Sequence, residues 1–129
     1  PGSDQVFELG VITNTAHARA VLAGVEPKVM ETYGVYSEET ACAMAQGIRH
    51  LSGADIGVAI TARTGLESDS AGRELGLAYI AVDSDAYQHV TKVDLAGNRS
   101  AQSEFVRYVS SSSALWNGLK AAWKSEGTR

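Results

Sequence analysis

Apolar positions change their rhythm along this chain, and each change predicts an element. Val6 to Thr13, VFELGVIT, is dense in apolar and β-branched residues and predicts a strand. Asn14 or Thr15 then offers an N-cap for a short helix through Leu22, which Gly24 would end. Pro27 suits the first turn of a second short helix, with Gly34 as its stop. Ser37 is a further N-cap, followed by Glu38 and Glu39 where the helix dipole favours negative charge. Ala41, Met44, Ile48 and Leu51 recur at spacings of three, four and three, one face of an amphipathic helix that Gly53 closes.

The rhythm then becomes continuous. Ala54 to Thr61, ADIGVAIT, is an unbroken apolar run of the kind found in strands covered on both faces. Arg63 to Arg73 is polar and predicts a loop. Leu75 to Val82 is a second buried strand, Asp83-Ser84-Asp85 a turn, and His89 to Leu95 an alternating, more exposed strand of antiparallel type. Asn98 or Ser100 caps a last helix. Its predicted buried stripe is Ala101, Phe105, Tyr108, Ser112, Leu115, Leu119 and Ala122, widened by Trp116 and Trp123. The serine run from Ser110 to Ser113 lies inside that helix and reads as small residues at a close packing contact.

The order β-α-α-α-β-β-β-α predicts an α/β fold, three layers with helices on both faces of a mixed sheet. The chain has 129 residues, which fits a single domain spanning 1–129. Its first residues, Pro1-Gly2-Ser3, are either native or a remnant of tag cleavage.

Composition narrows the function classes. Apolar residues make up 44% and charged residues 20%, with a net charge of -4, as in an ordinary globular domain. No basic cluster exceeds a pair, which argues against nucleic acid as a partner. The apolar runs are too short to cross a bilayer, and no signal peptide is visible, so the expected location is the cytoplasm. Cys42, the single cysteine, sits among alanines in a predicted helix and reads as a small core residue. His17, His50 and His89 fall on separate elements without metal-ligand spacing. Neither a metal nor a cofactor is called for. No nucleophile elbow, phosphate-binding glycine loop or dinucleotide fingerprint occurs. Glu67-Ser68-Asp69-Ser70 reads as a solvated loop.

Several segments together resemble one family. Pro1-Gly2-Ser3, Phe7, Gly10 and Val11-Ile12-Thr13 are similar to a P-G-S-S, F, G-G, V-V-T-Y segment. Tyr33-Gly34-Val35, Ser37-Glu38-Glu39, Ala43-Met44-Ala45 and Gly47 match Y-G-A-V-S-E-E and A-M-A-E-G. Ala54-Asp55-Ile56-Gly57 and Ala59-Ile60-Thr61 match A-D-x-G-x-A-x-T-G. Gly76 with Tyr79-Ile80-Ala81-Val82, and then Gly97-Asn98-Arg99, resemble later segments. The pattern is that of the C-terminal domain of the CinA (competence/damage-inducible protein A) proteins, the nicotinamide-nucleotide amidohydrolase family. The resemblance covers nearly the whole chain but only the later three quarters of the family's domain. It implies that fold without its first strand and flanking helices.

The resemblance implies hydrolysis of the amide of nicotinamide mononucleotide, by a serine in an E-S-C-T-G-G segment helped by a lysine and a tyrosine. A serine hydroxyl needs a neighbouring base, and a neutral lysine can supply one. In this sequence the serine segment is absent, the tyrosine position holds Asn14, and the lysine position holds Arg19. Arginine stays protonated at neutral pH and accepts no proton. The family's glycine-rich loop has become Ala62 to Asp69. No catalytic residue is assigned. The expected function is a degenerate binding or protein-interaction module without amidohydrolase activity on its own. Two alternatives are a nucleotide-binding pseudoenzyme and a deamidase whose nucleophile segment lies outside this chain. Thr13, Asn14, Arg19, Thr61, Thr64 and Gly65 are the candidate ligand-binding residues, with a pyridine nucleotide as the candidate ligand. The uncovered sheet edge predicts a homo-oligomer, or a protein partner that completes the sheet.

Overall fold

Helix α3, Glu38–Ser52, organises the structure. Ser37 caps it by accepting a hydrogen bond from the Thr40 N–H at 3.1 Å, and Gly53 ends it in the left-handed conformation at φ 71. Two shorter helices precede it: α1, Ala16–Leu22, capped by Thr15, and α2, Pro27–Tyr33, which starts on its proline. Ser3–Gln5 forms a short 3-10 turn. The computed structural model describes residues 3–63, 77–94, 115–124 and 127.

Three strands follow α3 in chain order: β1 Gly57–Ala62, β2 Leu77–Asp83 and β3 Gln88–Asp94. They form an antiparallel meander with β2 in the centre. Ala59 stands opposite Ala81, and Ala81 opposite Val90. Alternation then places Gly57, Ala59, Thr61, Ala81 and Val90 on one face. Helix α3 lies on that face, where Ala41, Met44 and Ala45 meet Ala59 and Ala81 in the core, joined by Ala23 and Val25 from the α1–α2 connection and Met30 from α2. The small residues let backbones approach closely. A methyl group on Gly57 would sit 2.1 Å from the Ala45 carbonyl oxygen.

The opposite face holds Val58, Ile80, Val82 and Thr91. Residues 115–124 form helix α4 against it. The Asn117 amide donates to the Thr91 hydroxyl at 3.0 Å, and Gly118 lies over Val58. The sheet is therefore flanked by helices on both sides. Ile80 and Val82, both fully buried, each contribute about 1.5–3 kcal/mol through removal from water. Arg49 of α3 pairs with Asp83 at 3.0 Å and with Asp85, tying the helix end to the β2–β3 turn. That turn closes on Ser84, whose hydroxyl donates to and whose N–H reaches the Tyr87 carbonyl. Among the described residues, no helix is long and apolar enough to cross a membrane.

The α/β architecture agrees with the sequence reading, and several details differ. Residues 7–14 join no ladder, so the strand expected at Val6 to Thr13 does not form. Strand propensity is a fit to a pleated, half-buried surface, and Phe7 and Ile12 lie open to solvent. Without that strand, all pairing among the described residues is antiparallel. Strand β1 fully buries only alternate residues, and β2, between its two neighbours, is the one covered on both faces. Leu51 projects outward at 58% exposure, beyond the end of the α3 contact. Helix α4 turns Asn117 and Ala121 inward and leaves Leu115, Leu119, Trp116 and Trp123 exposed. Asn117 is held inward by the bond to Thr91, and Ala121 packs beside it. The predicted 63–73 loop (past Arg63), the Asn98 or Ser100 cap and the serine run lie outside the described residues.

Candidate functional site

The site is built where β1 ends. Thr61 faces inward with no solvent exposure, and its hydroxyl donates to the Val35 carbonyl at 2.9 Å. This bond ties the α2–α3 connection to the sheet. On the other side, the Gly34 carbonyl accepts from the Thr40 hydroxyl at 2.7 Å and the Ser37 hydroxyl at 2.9 Å. Tyr36 is thus held at both neighbours, with its ring at the surface.

Two guanidinium groups converge on that ring. Arg19 from α1 lies over it at 5.5 Å from the centroid, and Arg63, just past β1, at 5.2 Å. Both distances fall in the cation–π range. Arg63 holds its place through its backbone N–H, which donates to the Leu77 carbonyl at 3.0 Å.

Arg19 is the unusual member. It is only 6% exposed, and its Nε is buried without a hydrogen-bond partner. Burial pushes its guanidinium below the ordinary arginine value, an effect that Tyr36 partly offsets. The group remains a cation at neutral pH, since arginine does not lose its proton in proteins. A guanidinium donor without a partner suits an anion with several oxygens, such as a phosphate or a carboxylate. It is not suited to proton abstraction.

The other sequence candidates divide. Arg19 and Thr61 are brought together through Val35-Tyr36. Thr13 is half buried and Asn14 exposed, at the end of the unpaired 7–14 stretch. Thr64 and Gly65 lie outside the described residues. Tyr36 and Arg63 were missed by sequence reasoning. A signal for Tyr36 existed, because it replaces the second valine-like position of Y-G-A-V-S-E-E with an aromatic ring.

Reactive groups elsewhere are accounted for by structure. Burial pushes the Cys42 thiol up, and Asp83, Glu38 and Glu39 add to the effect, so the thiolate is disfavoured. The His89 ring stacks on Tyr87 with centroids 5.8 Å apart. Among the described residues, no group of His, Cys, Asp and Glu could hold a metal ion.

Comparisons with known proteins converge on one family. The CinA C-terminal domain profile matches residues 1–115. A Moorella thermoacetica protein named for competence-damage inducibility is 36% identical over 124 residues, covering 94% of this chain and 29% of that protein. A CinA-like protein of Acidobacterium capsulatum is 30% identical over 115 residues, 89% of this chain and 27% of its own. The chain therefore spans less than a third of the length of these relatives. Among solved structures, the competence/damage inducible protein CihA of Agrobacterium tumefaciens superposes with a TM-score of 0.76 at 25% identity, over 85% of this chain and 66% of that one. A CinA superfamily protein of Escherichia coli shares the fold at a TM-score of 0.67 and 24% identity, over 85% and 59%. With its fold, its matched segments and these relatives in agreement, this chain belongs to the CinA C-terminal domain family.

Proposed function

We propose that this chain is a ligand-binding CinA-family domain that does not hydrolyse amides by itself. Its ligand is a phosphorylated anion of the pyridine mononucleotide class, held at Arg19, Tyr36 and Arg63. The observation that carries this reading is the vacant, buried Nε of Arg19. Leaving a buried charged donor unpaired costs free energy, on the order of 1–3 kcal/mol or more. A ligand oxygen there would recover that cost. Arg63 supplies a second cation against the same ring.

The same residues argue against catalysis by these 129 residues. Arg19 stands where the resemblance implies a lysine base, and it cannot accept a proton. Asn14 stands where the resemblance implies a tyrosine. Isothermal calorimetry with inorganic phosphate, nicotinamide mononucleotide and nicotinate mononucleotide tests the binding. Heat is expected with all three, strongest with the nucleotides; silence at millimolar ligand defeats the proposal. Ammonia release from nicotinamide mononucleotide by this chain would defeat its non-catalytic part.

A second reading follows from coverage, since this chain corresponds to 29% of the Moorella protein's length. A nucleophile segment elsewhere in a longer protein would make the whole a deamidase. Ammonia release by such a protein, abolished by Arg19→Met, would favour it.

A further inference from the structure

Three side chains meet near the end of β1, and each hangs from an anchored backbone. Arg19 sits in the last turn of α1, where its carbonyl accepts from the Ala23 N–H at 3.1 Å and the Val25 N–H at 3.2 Å. Arg63 donates its backbone N–H to the Leu77 carbonyl. Tyr36 stands between two tied neighbours: the Val35 carbonyl accepts from the Thr61 hydroxyl, and Ser37 caps α3. With the backbones set, side-chain contacts decide where each guanidinium points.

The Tyr36 ring is the contact that both arginines share, at 5.5 Å from the Arg19 guanidinium carbon and 5.2 Å from that of Arg63. Two like charges repel, whereas the quadrupole of an aromatic ring attracts each of them. One ring therefore holds together two cations that would otherwise separate. Burial lowers the Arg19 guanidinium from its ordinary value and Tyr36 offsets part of that effect, so the tyrosine favours the charged form. A guanidinium is a rigid plane, and the contact that orients the plane orients every N–H in it. For Arg19 that includes the buried Nε, which has no hydrogen-bond partner.

We infer that Tyr36 is the positioning residue of this site: its ring keeps Arg19 and Arg63 together so that both serve one anion, and it sets the direction in which the Arg19 Nε donates. The role rests on the anion-binding reading above and adds a division of labour to it. The two arginines supply the charge-assisted hydrogen bonds. Tyr36 acts through them and needs no contact with the anion. Its contribution is preorganisation, because two long side chains placed before the ligand arrives lose less freedom when it binds.

Calorimetric titration of the whole chain with inorganic phosphate tests this. Tyr36→Leu removes the ring and should weaken binding by at least about tenfold, and Tyr36→Phe, which keeps the ring, should recover affinity to within about threefold of wild type. Arg63→Met should weaken binding when Tyr36 is present and add little to Tyr36→Leu, because the ring couples the two; a tyrosine that only packed would give additive losses. A second readout needs no ligand. The NMR resonance of the Arg19 Nε proton should be displaced by the ring current, move in Tyr36→Leu and stay in Tyr36→Phe. Tyr36 is 37% exposed, so cooperative melting should persist and serves as the folding control. Tyr36→Met repeats the test if the leucine variant does not melt cooperatively. Unchanged phosphate affinity in Tyr36→Leu overturns the inference and leaves the binding reading intact. So do equal losses in the leucine and phenylalanine variants, or an Arg19 resonance that Tyr36→Leu does not move. Silence of the wild type toward phosphate defeats the binding reading, and the inference falls with it.

Discussion

Arg19 condenses the functional question into one side chain. A buried guanidinium with a vacant donor is expensive for a fold that uses it only for packing. Replacing such a group with an apolar residue of similar length is often neutral or stabilising, by about 1–4 kcal/mol. Arg19→Met should therefore leave thermal stability unchanged or raised while abolishing phosphate binding in calorimetry. A stability loss above about 2 kcal/mol, with no binding in the wild type, would make Arg19 a structural residue. The identity of Arg19 could be read in the sequence, and so could its inability to act as a base. Its burial, its vacant Nε and its neighbours Tyr36 and Arg63 could not. Those two residues lie 17 and 44 positions further along the chain, and core packing and the Thr61–Val35 bond bring their elements together.

Helix boundaries were legible because their signals are local. Ser37 and Gly53 mark α3, Thr15 marks α1 and Pro27 starts α2. Which face each helix buries is less local. Gly47 of α3 meets α1 so closely that an added methyl would lie 1.5 Å from the Ala23 carbonyl oxygen. Gly53, by contrast, has open space around it and a φ of +71. Gly47→Ala should cost about 3 kcal/mol or more, and Gly53→Ala only about 1 kcal/mol, as read from urea unfolding midpoints. Equal losses would show that the Ala23 contact yields readily. In α4, the apolar period pointed to Leu115, Leu119 and Ala122, and the structure instead seats Asn117, Gly118 and Ala121 toward the sheet. Asn117→Ala leaves the Thr91 hydroxyl without its donor and should cost about 1–2 kcal/mol in the same measurement. No change would mean that α4 is held by Gly118 and Ala121 alone.

At the scale of the whole molecule, the described residues form a three-stranded sheet with a helical layer on either side. Specific side-chain bonds tie distant segments together. Arg49 reaches Asp83 and Asp85 across 34 and 36 positions, and Thr61 reaches Val35 across 26. The first keeps α3 in register with the β2–β3 turn, and the second ties the Val35-Tyr36 segment to the sheet. The expected strand at Val6 to Thr13 failed for a reason of the same kind. Its residues have strand propensity, but a strand exists only where a neighbour accepts its hydrogen bonds. Among the described residues no strand pairs with this stretch, and Phe7 and Ile12 stay exposed.

The family, the helix caps and the order of the elements after the Val6 to Thr13 stretch were determined by the sequence itself. Each rests on residue identity at a position or on short spacing along the chain. The tertiary structure decided which strand is central, which side of α4 meets the sheet, whether 6–13 pairs, and that Tyr36 and Arg63 join Arg19. Each of these depends on distant segments competing for the same space, and no local pattern records the outcome of that competition.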